Sequence, residues 1–356
     1  MAFRCRRGGW PCGLAVVLCC TADLAEPAGR PAPKSSQAAT HATAPFDAAI
    51  RRAVTFLKNA QLPSGEFPSV ICQDAALTQC ESDHTPFVTT FALHALIPLS
   101  GGPVKAIATR GVQFLLSVHE PDFLWRYWTT QTPRHASLNP DLDDTVCARA
   151  ALIQYGARQP WSLHPVLALR APSGGLYTWT LLPPEQNAID CAVNANALYY
   201  FVLEDAVPDT LVTYLNGIVA RQQADSCSAF YVNPLAFSYF MARAIRLEPK
   251  LRSASPPLIE QTLARQLPDG SFGSPLETAL GAATLLALEA PTPRIQPAIQ
   301  HLLASQAPDG GFPALVFYKG PQGCTTNCQY FGAASITTAV ALEAYIDYRN
   351  RLTRAP

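Results

Sequence analysis

Apolar residues recur along the chain at two rhythms. In one kind of window they fall at i, i+3, i+4 and i+7, as in Ile50, Val54 and Leu57, or Ile299, Leu302 and Leu303, which is one face of an amphipathic helix. In the other kind they run nearly all round: windows at about 86–99, 143–155, 189–203, 234–246, 275–289 and 334–348 are rich in Ala, Leu and Thr and poor in charge. A helix apolar on every side must be covered on every side. Alternation of the two kinds predicts helix pairs in two layers, the apolar helices inside and the amphipathic ones outside. No run reaches 18 consecutive apolar residues beyond the N-terminus, so no membrane span is predicted.

The joints between the windows repeat. LKNAQLPSGEFP (57–68), TLARQLPDGSFG (262–273) and LLASQAPDGGFP (302–313) each place Gly four and Phe six residues after Gln: Gln61, Gly65, Phe67; Gln266, Gly270, Phe272; Gln306, Gly310, Phe312. In the same frame His119 leads to Trp125, Arg170 leads to Gly174 and Leu176, and Gln222 keeps its place in a degenerate copy. Frames at 61, 119, 170, 222, 266 and 306 are 40 to 58 residues apart, the period of stacked helical pairs. The expectation is an all-α (α/α)6 toroid over 46–350, with six inner helices forming a barrel and six outer helices around it.

This frame resembles the QW-type repeat of terpenoid cyclases and protein prenyltransferase β subunits, with Phe67, Phe272 and Phe312 where that repeat usually has tryptophan. The resemblance covers 46–350 and implies the same toroid. That fold carries cyclases, prenyltransferases, lyases and thioester domains, so function has to be read from the site.

Composition narrows the partners. Hydrophobic residues make up 49% and charged residues 15%, which leaves apolar surface to line a cavity as well as a core. Twenty-six basic against 26 acidic side chains give no basic field, and nucleic acid is set aside as a partner. Arg4, Arg6 and Arg7 before the apolar run 13–20, with Ala22 and Ala25 after it, read as a signal segment over 1–25 or as an unstructured extension. Residues 26–45, rich in Ala, Pro, Ser and Thr without apolar periodicity, read as a disordered linker.

The chemistry concentrates in Asp141, Asp143 and Asp144, followed by Thr145 at the start of the second inner helix. One reading is a helix cap, with Asp141 at the N-cap and Asp144 three residues on. A cap uses one aspartate, whereas three carboxylates within four residues repel one another, and at least one should hold a proton near neutrality. The pattern resembles the D-x-D-D-T signature of class II terpene cyclases such as squalene-hopene cyclase, with Val146 next where alanine is common. That resemblance implies proton-initiated cyclisation of an isoprenoid, with Asp143 as general acid and Asp141 and Asp144 tuning it. A carbocation then has to be held by aromatic faces away from water. Trp125 and Tyr127, in the loop before the aspartates, and Tyr330 and Phe331 are the candidates. Asp190 and Asn194, four residues apart at the third inner helix, are candidates for a substrate head group or for helix capping.

Metal chemistry finds little support. No Asp-Asp-x-x-Asp occurs, and the Asp225-Ser226-Cys227 that resembles a prenyltransferase zinc motif lacks its histidine, the sixth unit reading Gln329-Tyr330-Phe331-Gly332 there. No cofactor or metal is expected. Cys72 with Cys80 and Cys324 with Cys328 lie in corresponding loops of the first and last units, which ring closure makes neighbours; they are disulfide candidates in an exported chain, and export is the favoured localisation. Cys147 and Cys191 read as buried hydrophobes. Well-known class II cyclases enclose their cavity between two barrels and this chain supplies one, so a partner chain completing the cavity is a further expectation. The alternative from another class is an exported, non-catalytic toroid that binds a lipid or a protein.

Overall fold

The computed structural model describes residues 34–321 and 324–354, with side chains from residue 42 onward. Six inner helices are present among them: α2 (Pro86–Leu96), α4 (Leu142–Gln154), α6 (Cys191–Leu203), α8 (Pro234–Leu247), α10 (Pro275–Ala287) and α12 (Ala334–Arg354). Each packs on the next, and α12 packs back on α2, closing the ring. Outside them lie α1 (Lys34–Ala60), α3 (Gly102–Ser117), α5 (His164–Leu167), α7 (Asp209–Ala220), α9 (Ser255–Leu263) and α11 (Thr292–Ser305). The (α/α)6 toroid is therefore the fold. No helix among the described residues is long and apolar enough to cross a membrane.

The repeat residues are the joints of this ring. Gln61 Nε2 donates to the Gly65 carbonyl (2.9 Å) and to Ile107 on the next outer helix (3.0 Å). Gln266 bonds Gly270 and Arg294 in the same way, both at 2.9 Å. Gln306 bonds Gly310 and then Ala49 on α1 (3.1 Å), joining the last unit to the first. Gly310 turns at φ +91, and a Cβ there would lie 2.2 Å from the Arg52 carbonyl, so the outer helix seats directly on the turn. Two residues past the glycine, the backbone N–H donates to a side chain of the following inner helix: Phe67 to Thr89, Phe272 to Thr278 and Phe312 to Thr338.

Four features depart from the sequence expectation. Residues 34–45, read as linker, are helical as the start of α1; their alanines favour helix once Phe46, buried against Tyr348, anchors the C-terminal half. Residues 1–33, with the signal segment and the rest of the linker, lie outside the described residues. The third outer helix, α5, is one turn long, with Pro160 and Pro165 breaking the segment around it.

The first and last units also pair into a four-stranded antiparallel sheet, ordered β2 (Cys80–Asp83), β1 (Ser69–Cys72), β4 (Gln329–Gly332), β3 (Val316–Gly320). Cys72 and Cys80 are register partners in β1 and β2 and are disulfide-bonded; Cys324 and Cys328 close the β3–β4 hairpin. Cys191, read as a buried hydrophobe, is bonded to Cys227, while Cys147 is free and buried. Cys227 is thereby spent, and Asp225 is paired with Arg265 at the surface, which removes the zinc reading of that motif.

Candidate active site

A cavity of about 300 Å³ opens at the N-terminal end of the inner barrel. Asp141, Asp143 and Asp144 form one side of it, and aromatic rings from Phe87, Tyr127, Trp128, Tyr231, Tyr318 and Phe331 form most of the rest. The sheet is part of this wall: Tyr318 comes from β3 and stacks on Phe331 of β4 with ring centroids 5.2 Å apart.

The three aspartates have separate jobs. Asp141 is the N-cap of α4, with extended backbone and a side chain accepting from the Asp144 N–H at 2.8 Å. Asp144 is buried, one of its carboxyl oxygens has no hydrogen-bond partner, and burial together with the neighbouring Asp141 holds it well above the carboxylate range. Burial also raises Asp141, while a hydrogen bond from the Asp144 side chain opposes the rise. Burial thus raises both, and the charge of Asp141 adds to the rise at Asp144.

Asp143 stands one turn into the cavity. Its Oδ2 accepts from the Tyr231 hydroxyl at 2.5 Å and its Oδ1 from Asn196 Nδ2 at 2.8 Å. Burial pushes it up to about 7 against these two bonds, with Asp141 and Asp190 adding to the rise. Asp143 thus faces an apolar space with its carboxyl held well above the ordinary carboxylate range.

The frame explains which other candidates fail. Trp125 lies at the repeat's aromatic position, fully buried behind α4 with its indole N–H on Leu115, and does not line the cavity. Its backbone N–H donates to Thr145, so the threonine of the aspartate motif does the work of Thr89, Thr278 and Thr338. Asn194 fills that place in the third unit, bonding both polar backbone atoms of Leu176. Asp190 is the N-cap of α6 and also accepts from Ser228, Ala229 and Phe230. Both are structural, and neither reaches the cavity. Tyr330, next to Phe331 on a strand, is likewise absent from the lining, because alternate strand residues face opposite ways. Tyr127 and Phe331 do line it.

Sequence reasoning passed over both Tyr231 and Asn196. The signal for Asn196 was present: two residues apart on a helix, the asparagines point about 200° apart, so one could hold the joint and the other face the barrel. Asp83 was also missed. Buried at the end of β2, it accepts from the Tyr127 hydroxyl and the Trp128 indole N–H, both at 2.9 Å, and fixes that part of the aromatic wall.

In sequence, no family model and no curated protein matches the chain. In structure it is similar to the type II terpene cyclase MstE from Scytonema, with TM-score 0.67 and 17% identity over 87% of this chain and 99% of that one. The chain has a class II terpene cyclase-like fold. A variant of that cyclase in complex with geranylgeranyl dihydroxybenzoate matches with TM-score 0.66 and 17% identity, over 86% of this chain and 98% of that one. An ent-copalyl diphosphate synthase from Streptomyces platensis matches at TM-score 0.52 and 18% identity over 73% of this chain and 49% of its own. An unsaturated glucuronyl hydrolase specific for heparin also matches, at TM-score 0.56 and 12% identity over 86% of this chain and 98% of that one. The same architecture thus houses different reactions, and the lining of the cavity has to decide among them.

Proposed function

We propose that this protein is a class II terpene-cyclase-like enzyme that starts cyclisation of an isoprenoid by protonating an alkene with Asp143. One observation carries the reading: the Asp143 carboxyl, which burial pushes up to about 7, lines a cavity walled by aromatic rings.

In the first step the Asp143 O–H bond breaks as a new C–H bond forms on the substrate alkene, leaving a carbocation and the Asp143 carboxylate. The Tyr231 hydroxyl and Asn196 amide already donate to its two oxygens, so the carboxylate is stabilised as it forms, with no rearrangement. Successive alkenes then supply their π electrons to the cation, a proton lost from carbon to water at the cavity mouth ends the sequence, and a proton taken up from solvent restores the Asp143 acid. The rings of Phe87, Tyr127, Trp128, Tyr318 and Phe331 present π faces to the charge while keeping water away. Asp141 and Asp144 set the electrostatics and the helix start.

The single barrel is no obstacle to this reading. The Scytonema cyclase is aligned over 99% of its length with this one-barrel chain, and a variant of it holds a geranylgeranyl-bearing substrate. By analogy, the substrate here is an isoprenoid chain that fits within one barrel, without a partner chain.

The test is Asp143→Asn, which keeps the shape of the side chain but removes the acid. Wild type and variant are incubated with linear isoprenoids from C15 to C30, free and attached to an aromatic acid, and products are separated by mass spectrometry. Cyclised product from wild type and none from folded Asp143→Asn is expected. Equal cyclisation by both overturns the assignment of Asp143; no product from either favours the lipid-binding toroid.

A further inference from the structure

The opposite end of the barrel holds a second cavity of about 220 Å³, where the C-terminal halves of the inner helices meet. Five inner helices bring polar side chains to it: His94 from α2, Gln154 from α4, Tyr199 from α6, Tyr239 and Arg243 from α8, and Glu343 from α12. The sixth, α10, contributes Ala283 and Ala287, and those small side chains leave the space open. At about 30 Å³ per water the cavity has room for roughly seven water volumes.

Arg243 is the informative residue. Arg149, which is fully buried, shows what a structural arginine looks like. Arg149 spends its donors on the carbonyls of Phe123, Ser162 and Asp122 and on the Tyr200 hydroxyl. Arg243 hydrogen-bonds the Tyr199 side chain, has no salt-bridge partner among the described residues, and its buried Nε finds no acceptor. Its guanidinium lies over the Tyr199 and Tyr239 rings, 4.5 and 5.5 Å from their centroids, on the wall of the cavity. Had it served only to balance the carbonyl ends of the helices, those carbonyls would be its acceptors. The acidic group opposite, Glu343, acts on Arg243 through space but makes its short contacts elsewhere: it accepts from the Tyr239 hydroxyl at 2.7 Å and lies 3.6 Å from His94 Nε2. Ile97, Pro98, Leu247 and Ile346 complete an apolar half.

We propose that this distal cavity is a second binding site, for a small organic carboxylate, with the carboxylate on the Arg243 guanidinium and an apolar body against Ile97, Ile346 and the two alanines. A planar guanidinium matches a carboxylate fork, and the apolar half suits a carboxylate with a hydrocarbon body better than a phosphate.

Proton linkage follows from the groups facing Glu343. These are His94, which burial and the two nearby arginines keep neutral, Tyr199 and Tyr239, Arg243, and the Arg246–Asp347 ion pair at the rim. Burial pushes Glu343 up to about 7. A bound anion favours the neutral acid, so binding takes up a proton. Occupancy that requires neutral Glu343 tightens about tenfold from pH 8 to pH 6.

The probe is benzoate, which is ionised throughout that range and small enough for the cavity. Calorimetry on the full chain is expected to show saturable binding that is tighter at pH 6 and leaves no dependence on Tyr318→Phe at the other cavity. Arg243→Met should weaken it at least tenfold, and Ala283→Leu, which fills the cavity while leaving Arg243 in place, should do the same. No saturable binding, or binding unchanged in both variants, overturns the proposal. Inorganic phosphate binding as tightly as benzoate overturns the carboxylate assignment. These outcomes do not depend on whether the chain cyclises an isoprenoid.

Discussion

Tyr231→Phe is the substitution that most directly tests how Asp143 works. The change deletes one hydroxyl and keeps the ring, whose edge contacts with Phe240 and Phe317 at 5.2 Å should survive. What is lost is the 2.5 Å hydrogen bond to Asp143 Oδ2. A hydrogen bond to a charged group is worth about 1.5–3 kcal/mol, or roughly 1–2 pKa units, and it favours the carboxylate. Asp143, at about 7 in the wild type, should therefore titrate roughly 1–2 units higher in the variant. The active form carries the proton, so turnover is full below the pKa and falls as pH rises through it. The alkaline limb of the kcat profile should move upward by that amount, while the low-pH plateau drops by at most about 10–100-fold, because the departing proton leaves a less stabilised carboxylate. The assay is product formation between pH 5 and 10 from a linear isoprenoid that the wild type cyclises, with melting curves alongside. A variant that stays folded and keeps the wild-type alkaline limb would refute Asp143 as the titrating acid.

Three further outcomes are expected. Asp143 binds its proton more tightly in the native state, at about 7 against 3.8 unfolded, so stability falls as pH rises from about 4 to 7 and then levels; Asp143→Asn should relieve this by at most about 4 kcal/mol at pH 8, raising Tm by several degrees there and by little at pH 4. Gly310→Ala should cost about 1–3 kcal/mol in denaturant unfolding, since it puts a Cβ at φ +91 against the Arg52 carbonyl and loosens the seam between the last and first units; a change below about 0.5 kcal/mol would contradict the seating of α1 on that turn. Breaking Cys191–Cys227, which spans 36 residues, with Cys227→Ser should cost about 3–4 kcal/mol by loop-closure entropy; mass mapping of unreduced protein should find three bridges among the described residues, with Cys147 protected from alkylation until unfolding.

The barrel was legible because a closed ring of helix pairs imposes one environment on each repeat position. Helices wetted on one side keep the helical period, helices covered on all sides lose it, and the joints demand Gln, Gly and an aromatic residue at set offsets. The departures fall where the units differ from one another. The sheet over β1 to β4 arises from pairing between the first and last units, 263 residues apart at Ser69 and Gly332, and no local pattern encodes such a partner. The Cys191–Cys227 bond was hidden for a similar reason, one cysteine sitting in an inner helix and the other in the most degenerate unit. Trp125, by contrast, was misread with the answer in hand: its place in the repeat frame assigns it to packing, and the backbone bond to Thr145 follows from that place.

The same frame isolates the chemistry. In four of the inner helices the N-cap lies four residues before the joint residue: Thr85, Asp141, Asp190 and Ser274 ahead of Thr89, Thr145, Asn194 and Thr278. Asp141 is thus one of a series, and the residues the fold does not require are Asp143 and Asp144. Two opposing effects act on Asp143 at that position. The positive end of α4, with the Tyr231 and Asn196 donors, favours a carboxylate, whereas enclosure among aromatic rings favours the neutral acid. Burial wins and pushes Asp143 up to about 7. In the proposed reaction, when the proton passes to an alkene, the donors and the helix end are already in place around the carboxylate, and the cation formed in the cavity supplies the opposite charge that burial had withheld. On the proposed reading, a carboxyl group that keeps its proton at rest and whose carboxylate meets donors and a cation after transfer suits alkene protonation, and a capping residue would need neither property.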